Sequence, residues 1–304
     1  MIIRSRRILS GLFVATMLTG TLFSASLVAA ADVETKTPIK VVLENSSDAD
    51  FIGAVYGEVL KEAGYHVKYV PGDYVAAYTA VATGDVDVNL AAWQTTGVEL
   101  TKTALDTGNV ENYGPTGIKV SEGWWYSAAT KAACPGLPNW EALKDPGCIK
   151  TLATAETAPK GRYLDAPADW GTQSDKSITD LGLNLTLVNS GSASALMASV
   201  KGSLDRKEPS LSWGYVPSWM FSDKAGEFVA RPGFLPNVDI LKLGNKKTLA
   251  TAKIAAAILK AFTLSSNDVA VAMNDIDNGG KKPEEAAHDW MAKNESTWKA
   301  WIPK

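Results

Sequence analysis

The chain has 304 residues, 46% of them hydrophobic and 21% charged, with 14 prolines. Those values exclude a disordered tail protein and a multi-span membrane protein, and the length allows one large domain or two of moderate size. The formal net charge of -3 argues against a phosphate-backbone partner, which needs clustered Lys and Arg, so no nucleic acid is expected. Two histidines and two cysteines leave little for a metal site, and neither a metal ligand nor a cofactor is singled out. Ten tryptophans are many for this length.

The first predicted element is an address. Arg4, Arg6 and Arg7 precede an apolar run from Ile8 to Val28 that ends in Ala29, Ala30 and Ala31. A charged start, an apolar middle and a small-residue cleavage site read as a secretory signal over residues 1–31, removed after export. Polar residues such as Thr16, Thr19 and Ser24 dilute the run, which speaks against a membrane anchor. No cysteine stands near the cleavage site to carry a lipid, so a freely diffusing periplasmic protein is expected.

From Pro38 the pattern alternates between strand and helix periods. Ile39–Leu43 reads as a short apolar strand, followed by N-cap types Ser46, Ser47 and Asp48 and a helix that Gly64 stops. Tyr65, Val67 and Tyr69 alternate as a strand with His66 and Lys68 outward. A helix over Tyr74–Thr83 leads into a strand over Asp85–Leu90. Strands joined by helices imply a largely parallel α/β sheet.

A second unit begins near Gly117. It holds Cys134 and Cys148, which bracket a short loop with three prolines and two glycines. In an oxidising compartment these two are expected to form a structural disulfide, contributing roughly 3 kcal/mol by the chain-entropy argument. A strand is expected at Thr151–Ala153, a helix at Ser174–Leu181, a strand at Leu185–Val188 and a helix at Ser192–Leu204. After Trp219 the pattern loosens. A long helix over Leu249–Thr263 and helical stretches ending with Glu284–Trp301 close the chain, and Trp290, Trp298 and Trp301 read as packing residues.

Catalysis has no clear advocate. Gly279-Gly280-Lys281-Lys282 lacks the spacing of a phosphate loop, and Gly191–Ala195 lacks the second glycine of a nucleophile elbow. An exported hydrolase would need a carboxylate pair or an activated nucleophile that the sequence does not clearly show. The remaining tryptophans are more informative. Trp93 follows the end of a predicted strand, where open α/β sheets place ligands. Trp124 and Trp125 follow Glu122-Gly123, Trp170 lies in a Pro/Gly-rich loop, and Trp213 ends the apolar piece before Gly214-Tyr215. Rings at loop positions and strand ends suit an aromatic cage, whose negative faces attract a quaternary ammonium at about 0.5 to 2 kcal/mol per ring when desolvated.

Three stretches carry a resemblance: Gly84-Asp85-Val86-Asp87-Val88 with Trp93, the loop from Gly161 to Trp170, and Ser190 to Phe221. In these the chain resembles the periplasmic binding proteins of ABC importers for betaine, choline and related osmolytes. The resemblance implies a two-lobed periplasmic-binding-protein fold (type II-like) with a hinged cleft, residues 32–117 opening lobe I, 118–222 forming lobe II and 223–304 returning to lobe I. It also implies a non-enzymatic, monomeric protein that delivers a small methylated amine to a membrane-embedded permease. Expected ligand contacts are Trp93, Glu122, Trp124, Trp170 and Trp213, with Trp125, Tyr215, Asn45, Ser46 and Asp48 in reserve. Glu122 beside the cage would repel a ligand carboxylate, and Trp with Glu in this combination resembles the trimethylamine N-oxide binders; choline and glycine betaine are the alternatives.

Overall fold

A computed structural model describes residues 33–304, so the secretory signal expected over residues 1–31 lies outside the described residues. The first half opens with strand β1 (Ile39–Leu43), helix α1 (Ser47–Glu62), strand β2 (Val67–Pro71), helix α2 (Tyr74–Thr83), strand β3 (Val88–Trp93) and helix α3 (Val98–Asp106). Ile39, Val41 and Val42 are buried because helices cover the sheet here, which is why β1 reads as a nearly unbroken apolar run. Asp48 and Asp50 fall in the first turn of α1, where the helix dipole favours negative charge. Gly84 ends α2 in the left-handed conformation at φ 84°, which a side chain would resist.

Strand β4 (Val110–Ser127) follows, then α4 (Ala128–Ala133), a 3-10 turn at Trp140–Lys144, α5 (Pro146–Leu152), β5 (Gly161–Asp165), a 3-10 turn at Ala168–Trp170, α6 (Ser174–Asp180), β6 (Leu185–Asn189), α7 (Ala193–Asp205) and β7 (Leu211–Val216). A 3-10 segment at Trp219–Lys224 leads to β8 (Gly226–Phe228) and β9 (Leu235–Asn245). The C-terminal helices are α8 (Lys246–Thr251), α9 (Lys253–Ala261), α10 (Ser266–Asp277), α11 (Pro283–Lys293) and α12 (Glu295–Lys299).

The strands form one sheet in the order β2-β1-β3-β9-β4-β7-β5-β6, with β8 also on β4. The pairs β1–β2, β1–β3, β5–β6 and β5–β7 are parallel, as the strand–helix alternation requires. The two long strands join the halves. β4 starts beside the end of β9 (Val110 opposite Asn245) and finishes beside β7 (Tyr126 opposite Leu211). β8 pairs with the far end of β4, so the chain returns to the first half along β9.

Several expected elements shift. Thr151 and Leu152 are helical, not strand, because Asp145 caps α5 by accepting from the amides of Gly147 (2.8 Å) and Cys148 (3.0 Å), with Pro146 at the first helical position. The long helix expected over Leu249–Thr263 is two helices broken at Ala252, and the last stretch breaks at Asn294. β4 and β9 were hidden by their own irregularity: Gly114 and Gly117 take φ 88°, and the pairing shifts register three times. The Cys134–Cys148 disulfide is formed. Trp290, Trp298 and Trp301 are buried packing residues, as their helical spacing indicated.

Candidate ligand site

β1 and β3 end at the same edge of the sheet, and the chain leaving each turns into a small cavity. It is lined by Glu44, Ser46 and Asp48 after β1, Tyr74 at the start of α2, and Trp93 and Thr96 at the end of β3. Glu122 of β4, Trp170 and Tyr215 of β7 complete it from the other half. A larger open groove lined by Thr35, Thr83, Asn109 and Lys246 lies elsewhere and carries no aromatic ring.

Four rings wall the cavity. Trp93 meets Tyr215 edge-to-face with centroids 5.4 Å apart and planes at 90°. Trp170 meets Tyr215 at 5.9 Å and Tyr74 at 6.3 Å, tilted by 66° and 54°. Such edge contacts fix neighbouring rings at angles to one another, so their faces surround a volume instead of collapsing into a stack. Tyr74 and Trp93 come from the first half and Trp170 and Tyr215 from the second, so residues distant in sequence build the box.

Carboxyl groups supply the polar wall. Glu122 Oε1 accepts the Thr96 amide at 3.1 Å, and Tyr215 donates its hydroxyl to Asp48 Oδ1 at 3.4 Å. Burial pushes Glu122 up to about 7, against the hydrogen bonds of Thr95 and Thr96. Burial likewise takes Asp48 up to about 6, and burial with the nearby Asp48 charge raises Glu44. Among the described residues no lysine or arginine lines the cavity. The site is therefore aromatic and rich in carboxyl groups, with no basic side chain in its wall.

The register of β4 on β7 explains where the other candidates lie. Glu122 sits opposite Tyr215, and one pair-step on Trp124 sits opposite Trp213, on the same face because side chains repeat every second residue. That step carries both tryptophans past the cavity. Trp124 is fully buried against Tyr163 at 4.9 Å, its Nε1 donates to Ser174 Oγ at 3.2 Å, and the Arg231 guanidinium lies 5.0 Å over its ring. The cation on that indole is thus the protein's own. Trp213 lines an adjoining open groove with Glu122, Trp170 and Arg231. Trp125 points to the opposite face, into space that only Gly214 and Gly226 leave free. Asn45 lies outside the cavity, with Nδ2 donating to Gly72 O at 3.3 Å and Asp73 Oδ1 at 3.2 Å. Glu44, Tyr74 and Thr96 line the cavity without having been singled out. Glu44 had a signal, because it is the first residue after a strand at a ligand-facing sheet edge.

Comparison with known proteins agrees with this geometry. Residues 37–293 match the family described as the substrate binding domain of ABC-type glycine betaine transport systems. A trimethylamine N-oxide-binding protein of Pelagibacter ubique (strain HTCC1062) is 29% identical over 286 residues, spanning 87% of this chain and 90% of the relative. Lactococcal OpuAC, in its closed-liganded conformation with glycine betaine, superposes with a TM-score of 0.70 at 22% identity, covering 87% of this chain and 100% of that one. The glycine betaine, L-proline-binding protein ProX of Borrelia burgdorferi gives a TM-score of 0.73 at 18% identity, over 88% and 97% of the two chains. The fold is the two-lobed one that the sequence resemblance implied. The chain belongs to the family of substrate-binding domains of ABC-type glycine betaine transport systems, and is the solute-binding component of such an importer, not an enzyme.

Proposed function

We propose that the protein binds trimethylamine N-oxide and delivers it to its permease. The observation that carries this reading is the closed box of Trp93, Tyr215, Trp170 and Tyr74 with carboxyl groups and no cation in its wall. The trimethylammonium end sits against the ring faces and Glu122 is the ligand's polar partner. A full ligand carboxylate is disfavoured beside Asp48, Glu44 and Glu122, which sets glycine betaine apart. The relative at 29% identity that carries trimethylamine N-oxide in its name supports the same choice.

Ligand size bounds the affinity. With about five heavy atoms and at best about -1.5 kcal/mol per atom, the binding energy reaches about -7.5 kcal/mol, a dissociation constant in the low micromolar range. Choline is the second reading, favoured by the same carboxyl groups, since a permanent cation pairs with them once they ionise. Parallel calorimetric titrations with trimethylamine N-oxide, choline and glycine betaine decide: micromolar binding of the oxide and weaker binding of the other two supports the assignment, and the reverse order overturns it. The charged and apolar segments of residues 1–31 support export to the periplasm, with the signal removed.

A further inference from the structure

Three carboxyl groups face the cavity, and two of them are engaged. Asp48 accepts the Tyr215 hydroxyl and Glu122 accepts the Thr96 amide. Glu44 is different. Its side chain is in a residue only 8% exposed, it lines the cavity, and Oε1 has no hydrogen-bond partner. A buried polar atom left unpaired costs about 1–3 kcal/mol, so the sequence tolerates an expense here that a Leu or Met would avoid.

Its surroundings decide its protonation state. Asp48 and Asp50 of α1 repel its charge, Asn89 of β3 is its neutral polar neighbour, and Tyr74 and Tyr78 of α2 feel its field. Glu122 stands across the cavity from β4. None of these groups carries a positive charge. Burial and the Asp48 charge raise Glu44 well above the usual carboxylate range, against a hydrogen bond from Asn89. Oε1 is the carboxyl oxygen left without a partner.

We propose that Glu44 is a specificity-determining ligand contact whose unpartnered carboxyl oxygen hydrogen-bonds with the oxide end of a methylated amine oxide. The inference rests on the trimethylamine N-oxide reading. An oxide oxygen is a strong acceptor without a proton of its own, so it pairs with the unpartnered Glu44 carboxyl when that group carries a proton. Choline brings a hydroxyl donor and a net charge, and asks Glu44 to ionise. The cavity thereby separates two ligands whose trimethylammonium ends are nearly alike. At high pH Glu44 loses its proton to solvent and then faces the oxide as anion against anion, which weakens binding.

The test is calorimetry on the purified protein, with Glu44→Gln and Glu44→Leu titrated with trimethylamine N-oxide and choline. Because an amide also donates, Glu44→Gln keeps the oxide affinity within about 3-fold, whereas Glu44→Leu weakens it by about 10-fold or more. Wild-type affinity for the oxide falls as pH is raised, and the fall is smaller in Glu44→Gln. Thermal unfolding of ligand-free Glu44→Leu at or above the wild-type temperature separates binding from folding. Wild-type oxide affinity in Glu44→Leu, equal losses in both variants, or coincident pH profiles for wild type and Glu44→Gln overturns the inference while leaving the ligand assignment standing. A wild-type protein that does not bind the oxide at all overturns both.

Discussion

The molecule uses clustered aromatic residues twice, in opposite ways. Near the C-terminus, Phe262 packs on Trp301 at 5.0 Å, Trp301 stacks on Trp290 at 5.8 Å with planes 20° apart, and Tyr56 closes on Phe262 at 6.1 Å. That cluster is solid, filled by α1, α9 and α11. Between the halves, Trp93, Tyr215, Trp170 and Tyr74 hold similar centroid distances but enclose a cavity and share its wall with carboxyl groups. What separates a core from a binding site here is polarity and the space left between rings, not aromatic content. An indole in the first cluster adds to stability; one in the second adds to affinity.

The contrast breaks most sharply by truncation. Trp301→Ala removes a buried ring from the solid cluster and is expected to cost about 3–5 kcal/mol, lowering the unfolding temperature by roughly 10 °C. Its ligand affinity, measured below the transition, stays at the wild-type value; a large affinity loss would mean that the clusters are coupled. Trp170→Ala does the converse. The ring is half-exposed and walls the cavity, so affinity falls about 10- to 100-fold with an unfolding temperature within a few degrees of wild type. Calorimetry with a thermal scan checks both in one protein batch, and an unchanged affinity would remove Trp170 from the site.

A smaller effect sharpens the comparison through pH. Glu122 at about 7 and Asp48 at about 6 both lie above their ordinary values, so the folded, ligand-free protein holds protons that the unfolded chain releases. Their contribution to stability is fully present below about pH 4 and is lost as pH rises through about 6 to 7. The unfolding temperature is expected to drop by a few degrees over that window, and by less in Glu122→Gln. A flat profile in wild type would show that these carboxyl groups remain in contact with bulk water.

The fold class, the disulfide and the family were legible from residue patterns, because strand–helix alternation, two cysteines after an export signal and the Gly84–Trp93 and Gly161–Trp170 stretches are local signals. The site was legible only in part. Trp93, Trp170, Glu122 and Tyr215 stood out as aromatic or charged residues at strand ends and loops. Trp124 and Trp213 satisfied the same rule, yet a single pair-step along β4 and β7 carries them out of the cavity. That step depends on the register of an 18-residue strand whose glycines and shifts hide its alternation. Tyr74 and Thr96 were out of reach for a related reason. Their role comes from how two halves meet, and no periodicity within either half records it.

The measurement that bears most directly on the account is a calorimetric titration of wild type and Trp93→Ala with trimethylamine N-oxide at neutral pH. The account expects low-micromolar binding by wild type and a loss of at least about 10-fold in the variant, since Trp93 faces the cavity and locks Tyr215 in place. No heat of binding in wild type, or equal affinity in the two proteins, would contradict it.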